Sequence, residues 1–311
     1  MRNRCLKTFL LSTIFLFIAG IHNPQWANAI HQTQAERFWL LKTHTEAQFD
    51  MLFLGDSRVS MGLSPAAMQT MLPNYRILNF GYGGGGLNQV IFQAAEAKLD
   101  PKSTKKIIVL GITPAALTPL AAQNEHFLQE KNRSKDYLFL ITHFAPLVTF
   151  LQPLKIDALL RIDKGKSGEK PVEQGFSRLH DDGWIEAWMI PENPTKELSH
   201  FRDFFAKTQV SSELIEVLMQ QTRLWKQKEI QVVAFRLPTT KEMVALEDEL
   251  SGFDENKFRQ AFESAGGLWL SVPLERYRSF DGSHLERNSA VQFSKDVAEK
   301  ISFSLKTHKS P

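Results

Sequence analysis

Short apolar runs, each followed by a turn and an amphipathic segment, set the pattern of this chain. Five such runs predict buried strands, at residues 51–54, 75–80, 106–111, 230–235 and 268–272. Apolar positions at helical spacing predict helices over 66–72, 87–99, 211–228 and 289–304, and one with an interruption near 252 over 240–265. This alternation predicts a parallel sheet wound with right-handed crossovers.

The expected fold class is therefore α/β. It is a three-layer α/β/α sandwich around a mainly parallel, five-stranded sheet of the flavodoxin-like type, plus a largely helical insertion. The insertion is predicted at about 113–209, which is too long for a connection and too apolar for a linker. We interpret it as an inserted cap or lobe beside the active face.

Within that segment, Trp184 and Trp188 are four residues apart and are expected to share a helix face. Core packing is the favoured interpretation, and a sugar-stacking platform is the alternative. The apolar run at 137–151 is expected to form the core of the insertion, with a membrane-docking face as the alternative.

The first 29 residues have the features of a secretory signal peptide. Arg2, Arg4 and Lys7 precede an apolar run over 8–21, and Ala-Asn-Ala at 27–29 has the pattern of a cleavage site. The run has 14 residues, fewer than the roughly 20 that span a bilayer. We therefore expect an exported chain, periplasmic or extracellular, with residues 30–311 as the mature protein. An uncleaved signal would hold it at the membrane.

Charge and cysteine content exclude two classes of function. The chain has 37 basic and 34 acidic residues. Three of the basic residues lie in the predicted signal, so the remaining charges balance and give no case for nucleic-acid binding. Cys5 is the only cysteine and also lies in the signal, so the mature protein is expected to have neither disulfides nor thiolate chemistry.

The first strand ends in Gly-Asp-Ser at 55–57, which would present Ser57 at the carboxyl end of the sheet, where ligands bind in such folds. A serine nucleophile needs a histidine base and a carboxylate to orient that base. Asp281 and His284 supply both in one turn before the last helix. By itself, a turn of this composition is common before a helix. Together with Ser57, it predicts a catalytic triad.

The turn at 55–57, the glycine-rich turn at 81–86 and the Asp-x-x-His turn resemble motifs of the SGNH/GDSL hydrolase superfamily over about residues 50–306, outside the insertion. The resemblance implies Ser57 as nucleophile, His284 as general base and Asp281 as its partner. It also implies an oxyanion hole from the Ser57 amide and Gly84, with Thr113 where the family has asparagine. Arg58, in place of the usual leucine, is assigned to substrate binding.

Arg58, Thr113, the export signal and the insertion make the chain similar to the exported branch that assists O-acylation of polysaccharides. This implies a serine-dependent ester hydrolase or O-acyltransferase acting through an acyl-serine on acyl (acetyl) esters of envelope or extracellular carbohydrate. The expected partners are an acylated carbohydrate or other ester substrate and a membrane-bound O-acyltransferase. The alternative is a non-catalytic module that binds polysaccharide or scaffolds an acyltransferase complex.

The signals for two other kinds of site are incomplete. The 81–86 turn matches a dinucleotide fingerprint, but no acidic residue ends the third strand, as that motif requires. The histidines at 126, 143 and 180 fit no metal-ligand spacing. Neither a cofactor nor a metal is expected.

Overall fold

The computed structural model describes residues 24–134 and 173–307, together with positions 7, 8, 10–12, 14, 136, 137, 139, 140 and 143. The predicted signal at 1–29 and the apolar run at 137–151 lie largely outside the described residues. None of the described helices is long and apolar enough to cross a membrane.

The chain divides into two compact units. The smaller comprises Met1–Leu40 and Arg133–Pro171, and its described part is mainly helix. The larger comprises Leu41–Asn132 and Val172–Pro311, and it contains the sheet and the candidate site. The elements, in chain order, are α1 (Pro24–His44), β1 (Met51–Leu54), α2 (Ser57–Gly62), α3 (Pro65–Gln69), β2 (Ile77–Asn79), α4 (Gln89–Glu96), β3 (Ile107–Ile112), α5 (Glu125–Lys131), β4 (Gln174–Leu179), β5 (Ile185–Ile190), α6 (Leu198–Phe205), α7 (Ser212–Gln227), β6 (Gln231–Arg236), α8 (Lys241–Leu250), α9 (Glu255–Ser264), β7 (Leu268–Trp269) and α10 (Arg287–Thr307).

The five parallel strands of the larger unit follow the order β2-β1-β3-β6-β7. Every residue of β1 and β3 is buried, as expected for strands with helices on both faces. The α/β prediction is confirmed. Because β2 pairs with one side of β1 and β3 with the other, the winding reverses at β1. The end of β1 is therefore the crevice where doubly wound sheets bind ligands.

The helix predicted over 240–265 is divided into α8 and α9, as its pattern indicated. Gly252 adopts φ +75° at the break, a conformation that favours glycine. Asp254 then caps α9, since its side chain accepts a hydrogen bond from the Lys257 amide. The second and fifth of these strands, β2 and β7, are shorter than predicted.

The segment predicted as an insertion is not only helical. Residues 113–132 and 173–209 belong to the larger unit, and within them β4 and β5 form an antiparallel hairpin. The prediction that Trp184 and Trp188 share a helix face is wrong. Trp188 lies in β5 and stacks on Phe176 of β4, with ring centroids 5.6 Å apart. Trp184 precedes the strand, is buried, and donates from its indole to the Met61 carbonyl.

Candidate active site

A sharp turn at the end of β1 places Ser57 at the first position of α2. Gly55 has φ +151°, and a Cβ there would lie 2.4 Å from Val59 Cγ2 and 2.7 Å from the Gly111 carbonyl oxygen. The position therefore requires glycine. Asp56 caps α2 by accepting a hydrogen bond from the Arg58 amide at 2.9 Å. This local chemistry fixes the direction in which the Ser57 side chain leaves the strand.

Ser57, His284 and Asp281 form one hydrogen-bonded chain. Ser57 Oγ lies 2.8 Å from His284 Nε2, and His284 Nδ1 lies 2.7 Å from Asp281 Oδ2. Since a carboxylate only accepts, Nδ1 carries the ring proton and Nε2 is left to accept from the serine hydroxyl. The structure thus brings Ser57 to a pair of residues that lie more than two hundred positions later in the sequence.

The turn that carries Asp281 is held from several directions. Asp281 Oδ1 accepts from the amides of Ser283 and His284 at 2.9 and 2.7 Å. Gly282 has φ +93°, and a Cβ there would lie 2.2 Å from the Pro194 carbonyl oxygen. Burial raises the pKa of Asp281, but the hydrogen bonds that its carboxylate accepts from His284 and Ser283 outweigh burial and leave the pKa below its ordinary value. The partner of His284 is therefore a carboxylate at neutral pH.

A cavity of about 240 Å³ opens over Ser57 and His284. One wall comes from α6 and the residue before it, which the sequence did not mark as functional. This wall contributes the aromatic residues Phe201 and Phe204 and the polar residues Glu197 and His200. The spacing of three residues between Phe201 and Phe204 is a sequence signal for one apolar helix face. Nothing in the local sequence indicates that this face lies at the end of β1.

Gly84 lies in the cavity wall, at the third position of a turn that the Gly85 amide closes on the Tyr82 carbonyl at 2.9 Å. Its φ is +65°, and the space that a Cβ would occupy contains no other atom within 4 Å. The Ser57 amide is at a helix N-terminus, where N–H groups have no acceptor within the helix. These two backbone positions are the candidate oxyanion donors.

Thr113 is placed differently from its predicted role. Its hydroxyl donates to Asp56 Oδ2 at 2.5 Å and accepts from the Ala116 amide at 3.1 Å. The side chain is 1% exposed. Its proton is therefore already used to connect the end of β3 to the cap of α2, and it is not directed at an oxyanion.

Arg58 also differs from its prediction as a substrate-binding residue. The side chain is 3% exposed and lies beneath the cavity wall, with its guanidinium 5.1 Å from the centre of the Phe201 ring. It pairs with Glu247, and its Nε donates to Ser283 Oγ at 2.9 Å. Because these groups surround it, Arg58 contacts protein rather than the cavity.

The side chain of His180 is hydrogen-bonded to another side chain of the protein. His180 Nε2 lies 2.8 Å from Glu186 Oε2, and Arg287 holds the other oxygen of Glu186. Among the residues that the structure describes, no three His, Cys, Asp or Glu side chains are grouped as a metal site.

Comparison with known proteins adds little to this geometry. No protein-family model matches the sequence, and no curated protein matches it. One solved structure from Streptococcus pneumonia, provisionally described as a platelet activating factor, is similar over 94% of this chain and 99% of its own. The identity is 13% and the TM-score 0.37.

Proposed function

We propose that this protein is a serine-dependent ester hydrolase or O-acyltransferase that forms an acyl-enzyme at Ser57. The observation that carries the proposal is the hydrogen-bonded chain from Ser57 through His284 to Asp281, located at the end of β1 and open to a cavity. A nucleophile, a base within hydrogen-bond reach and a group that orients the base are the three parts that such chemistry needs.

In the proposed reaction, Ser57 Oγ attacks the ester carbonyl carbon while its proton passes to His284 Nε2. The carbonyl oxygen becomes negative and is stabilised by the amides of Ser57 and Gly84. The bond to the alkoxy group then breaks, and His284 returns the proton to the departing alcohol. A water molecule or an acceptor hydroxyl repeats these steps in the opposite direction and releases the acyl group.

The composition of the cavity supports a small acyl group. Ala115 and Ala121 are its small apolar lining residues, and Met61, Phe201 and Phe204 add further apolar surface within about 240 Å³. The resemblance to SGNH/GDSL proteins that assist polysaccharide O-acylation adds acyl esters of envelope or extracellular carbohydrate as the proposed substrate class. An exported location and a membrane-bound O-acyltransferase as partner are part of the same proposal.

The test is acylation of Ser57 by p-nitrophenyl acetate, followed by mass spectrometry of the intact protein and of its peptides. Wild type should release p-nitrophenolate and gain an acetyl group on the peptide that contains Ser57. The Ser57→Ala variant should do neither. Ser60→Ala, a buried serine one turn later in α2, is the matched control and should retain labelling.

The second candidate is a non-catalytic module of the same fold. The Thr113 hydroxyl favours it, because its bond to Asp56 leaves the third oxyanion donor unsupplied, and losing one donor costs about 2.7–4 kcal/mol of barrier. Release of p-nitrophenolate at the same rate by wild type and Ser57→Ala, without a labelled peptide, would decide for this candidate.

A further inference from the structure

Arg58 is a buried charge directly beside the proposed nucleophile. Arginine is rarely buried unless it is paired, yet this side chain is 3% exposed. It follows Ser57 in α2, so any force on its guanidinium acts on the turn of backbone that carries the nucleophile. Its partners therefore bear on the geometry of the site.

The first partner is Glu247 of α8, whose side chain is 0% exposed. Arg58 Nη2 lies 2.7 Å from Glu247 Oε1. The two charges are in contact, although the atoms are not aligned as a hydrogen bond. Arg236, the last residue of β6, donates to the other oxygen of Glu247 at 3.0 Å. One buried carboxylate thus connects the ends of β1 and β6.

The second partner is Ser283, which lies between Asp281 and His284 in the sequence and is 0% exposed. Arg58 Nε donates to its hydroxyl at 2.9 Å, while the Ser283 amide donates to Asp281 at 2.9 Å. The planar guanidinium can face two acceptors in fixed directions. It therefore joins the residue after the nucleophile to the middle of the turn that carries the base.

We infer that Arg58 is a positioning residue that fixes the 281–284 turn against α2, and so holds His284 Nε2 at Ser57. This inference depends on the proposed function. Ser57 and His284 come from different ends of the chain. Ser57 is next to Arg58 in the sequence and His284 is next to Ser283, so the Arg58–Ser283 hydrogen bond joins their immediate neighbours. A misplacement of about 1 Å in such a site can cost about a hundredfold in rate.

The experiment measures covalent labelling of Ser57 by a fluorophosphonate at several concentrations, in the full chain. Arg58→Lys keeps the charge but cannot face both acceptors, and Ser283→Ala removes one acceptor with little change in volume. Each should lower the maximal labelling rate about tenfold or more and leave the half-saturating probe concentration unchanged. The double variant should lose no more than Arg58→Lys alone, because Arg58→Lys already removes the hydrogen bond to Ser283.

Arg236→Lys is the matched control, since Arg236 binds the same glutamate but has Asp248 and Glu255 as its other partners. It should label at the wild-type rate once corrected for the folded fraction. Labelling of Arg58→Lys and Ser283→Ala within twofold of wild type would overturn the inference, as would an equal loss in Arg236→Lys. Failure of wild type itself to label would instead refute the proposed function.

Discussion

Replacing Asp281 by asparagine tests the orientation of the base without disturbing its turn. The asparagine Oδ1 can still accept from the amides of Ser283 and His284, which lie 2.9 and 2.7 Å from the present oxygen. The amide nitrogen then faces His284 Nδ1 in place of Oδ2. Because that nitrogen donates, the ring must carry its proton on Nε2 and can no longer accept one from Ser57.

The expected loss follows from this change of tautomer. The same exchange in a Ser-His-Asp triad lowers kcat by about 10⁴, which corresponds to about 5.4 kcal/mol of barrier at 1.36 kcal/mol per tenfold. We expect about 10³ to 10⁴ here, because the geometry of the three side chains is of the same kind. The fold should be retained, since the two backbone hydrogen bonds to residue 281 remain.

The assay is the rate of acetyl transfer from p-nitrophenyl acetate to Ser57, measured by the first turnover. Asp254→Asn is the control, because asparagine caps a helix as well as aspartate and Asp254 caps α9. A loss smaller than tenfold in Asp281→Asn, with an unchanged circular dichroism spectrum, would refute the argument that the carboxylate sets the tautomer.

The comparison of wild type with Asp281→Asn also predicts how the free energy of unfolding depends on pH. The pKa of Asp281 is lowered in the folded protein from its ordinary value of 3.8. The carboxylate therefore stabilises the fold above that value, and its contribution disappears as the pH falls through the folded pKa. Urea denaturation should show a stability difference between wild type and variant at pH 6 that shrinks below pH 4; a constant difference would contradict the assignment.

Three further predictions concern stability. Glu247→Gln removes the carboxylate paired with the buried charge of Arg58, while Arg236 keeps Asp248 and Glu255. The free energy of unfolding should therefore fall by about 3–5 kcal/mol in urea denaturation; a loss below 1 kcal/mol would contradict this. Burial lowers the pKa of Lys98 to about 8, so the unfolded state binds more protons between about pH 8 and 10.5. Its contribution to stability should therefore rise by up to about 3 kcal/mol over that range, and the rise should be absent in Lys98→Met. Gly84→Ala should lower the free energy of unfolding by about 1–2 kcal/mol, because the backbone has a positive φ while the added Cβ meets open space. Thermal unfolding measures this loss, and a larger loss would indicate a steric clash and contradict the prediction.

The sequence by itself determined the chain order of the five parallel strands and the identity of the hydrogen-bonded trio. The strands β1, β3 and β6 are mainly apolar runs bounded by turns. Strands of a parallel sheet are buried on both faces, so their sequences show this local pattern clearly. The start of α3 also has a local signal, because a serine followed by a proline favours a helix N-terminus, and the Ser64 side chain accepts from the Ala67 amide. Ser57, Asp281 and His284 were identifiable because each lies in a short turn of distinctive composition.

Tertiary structure decided what the neighbouring side chains do. A charged residue after a nucleophile is expected to face substrate, but Arg58 is buried because a carboxylate on α8 lies opposite it. Thr113 had the right place in the sequence for an oxyanion donor, yet Asp56 uses its proton. Neither contact has a local pattern, since the partners are 189 and 57 positions away. In a packed interior, a buried charge or hydroxyl pairs with whichever group lies next to it. The tertiary fold determines which groups are neighbours.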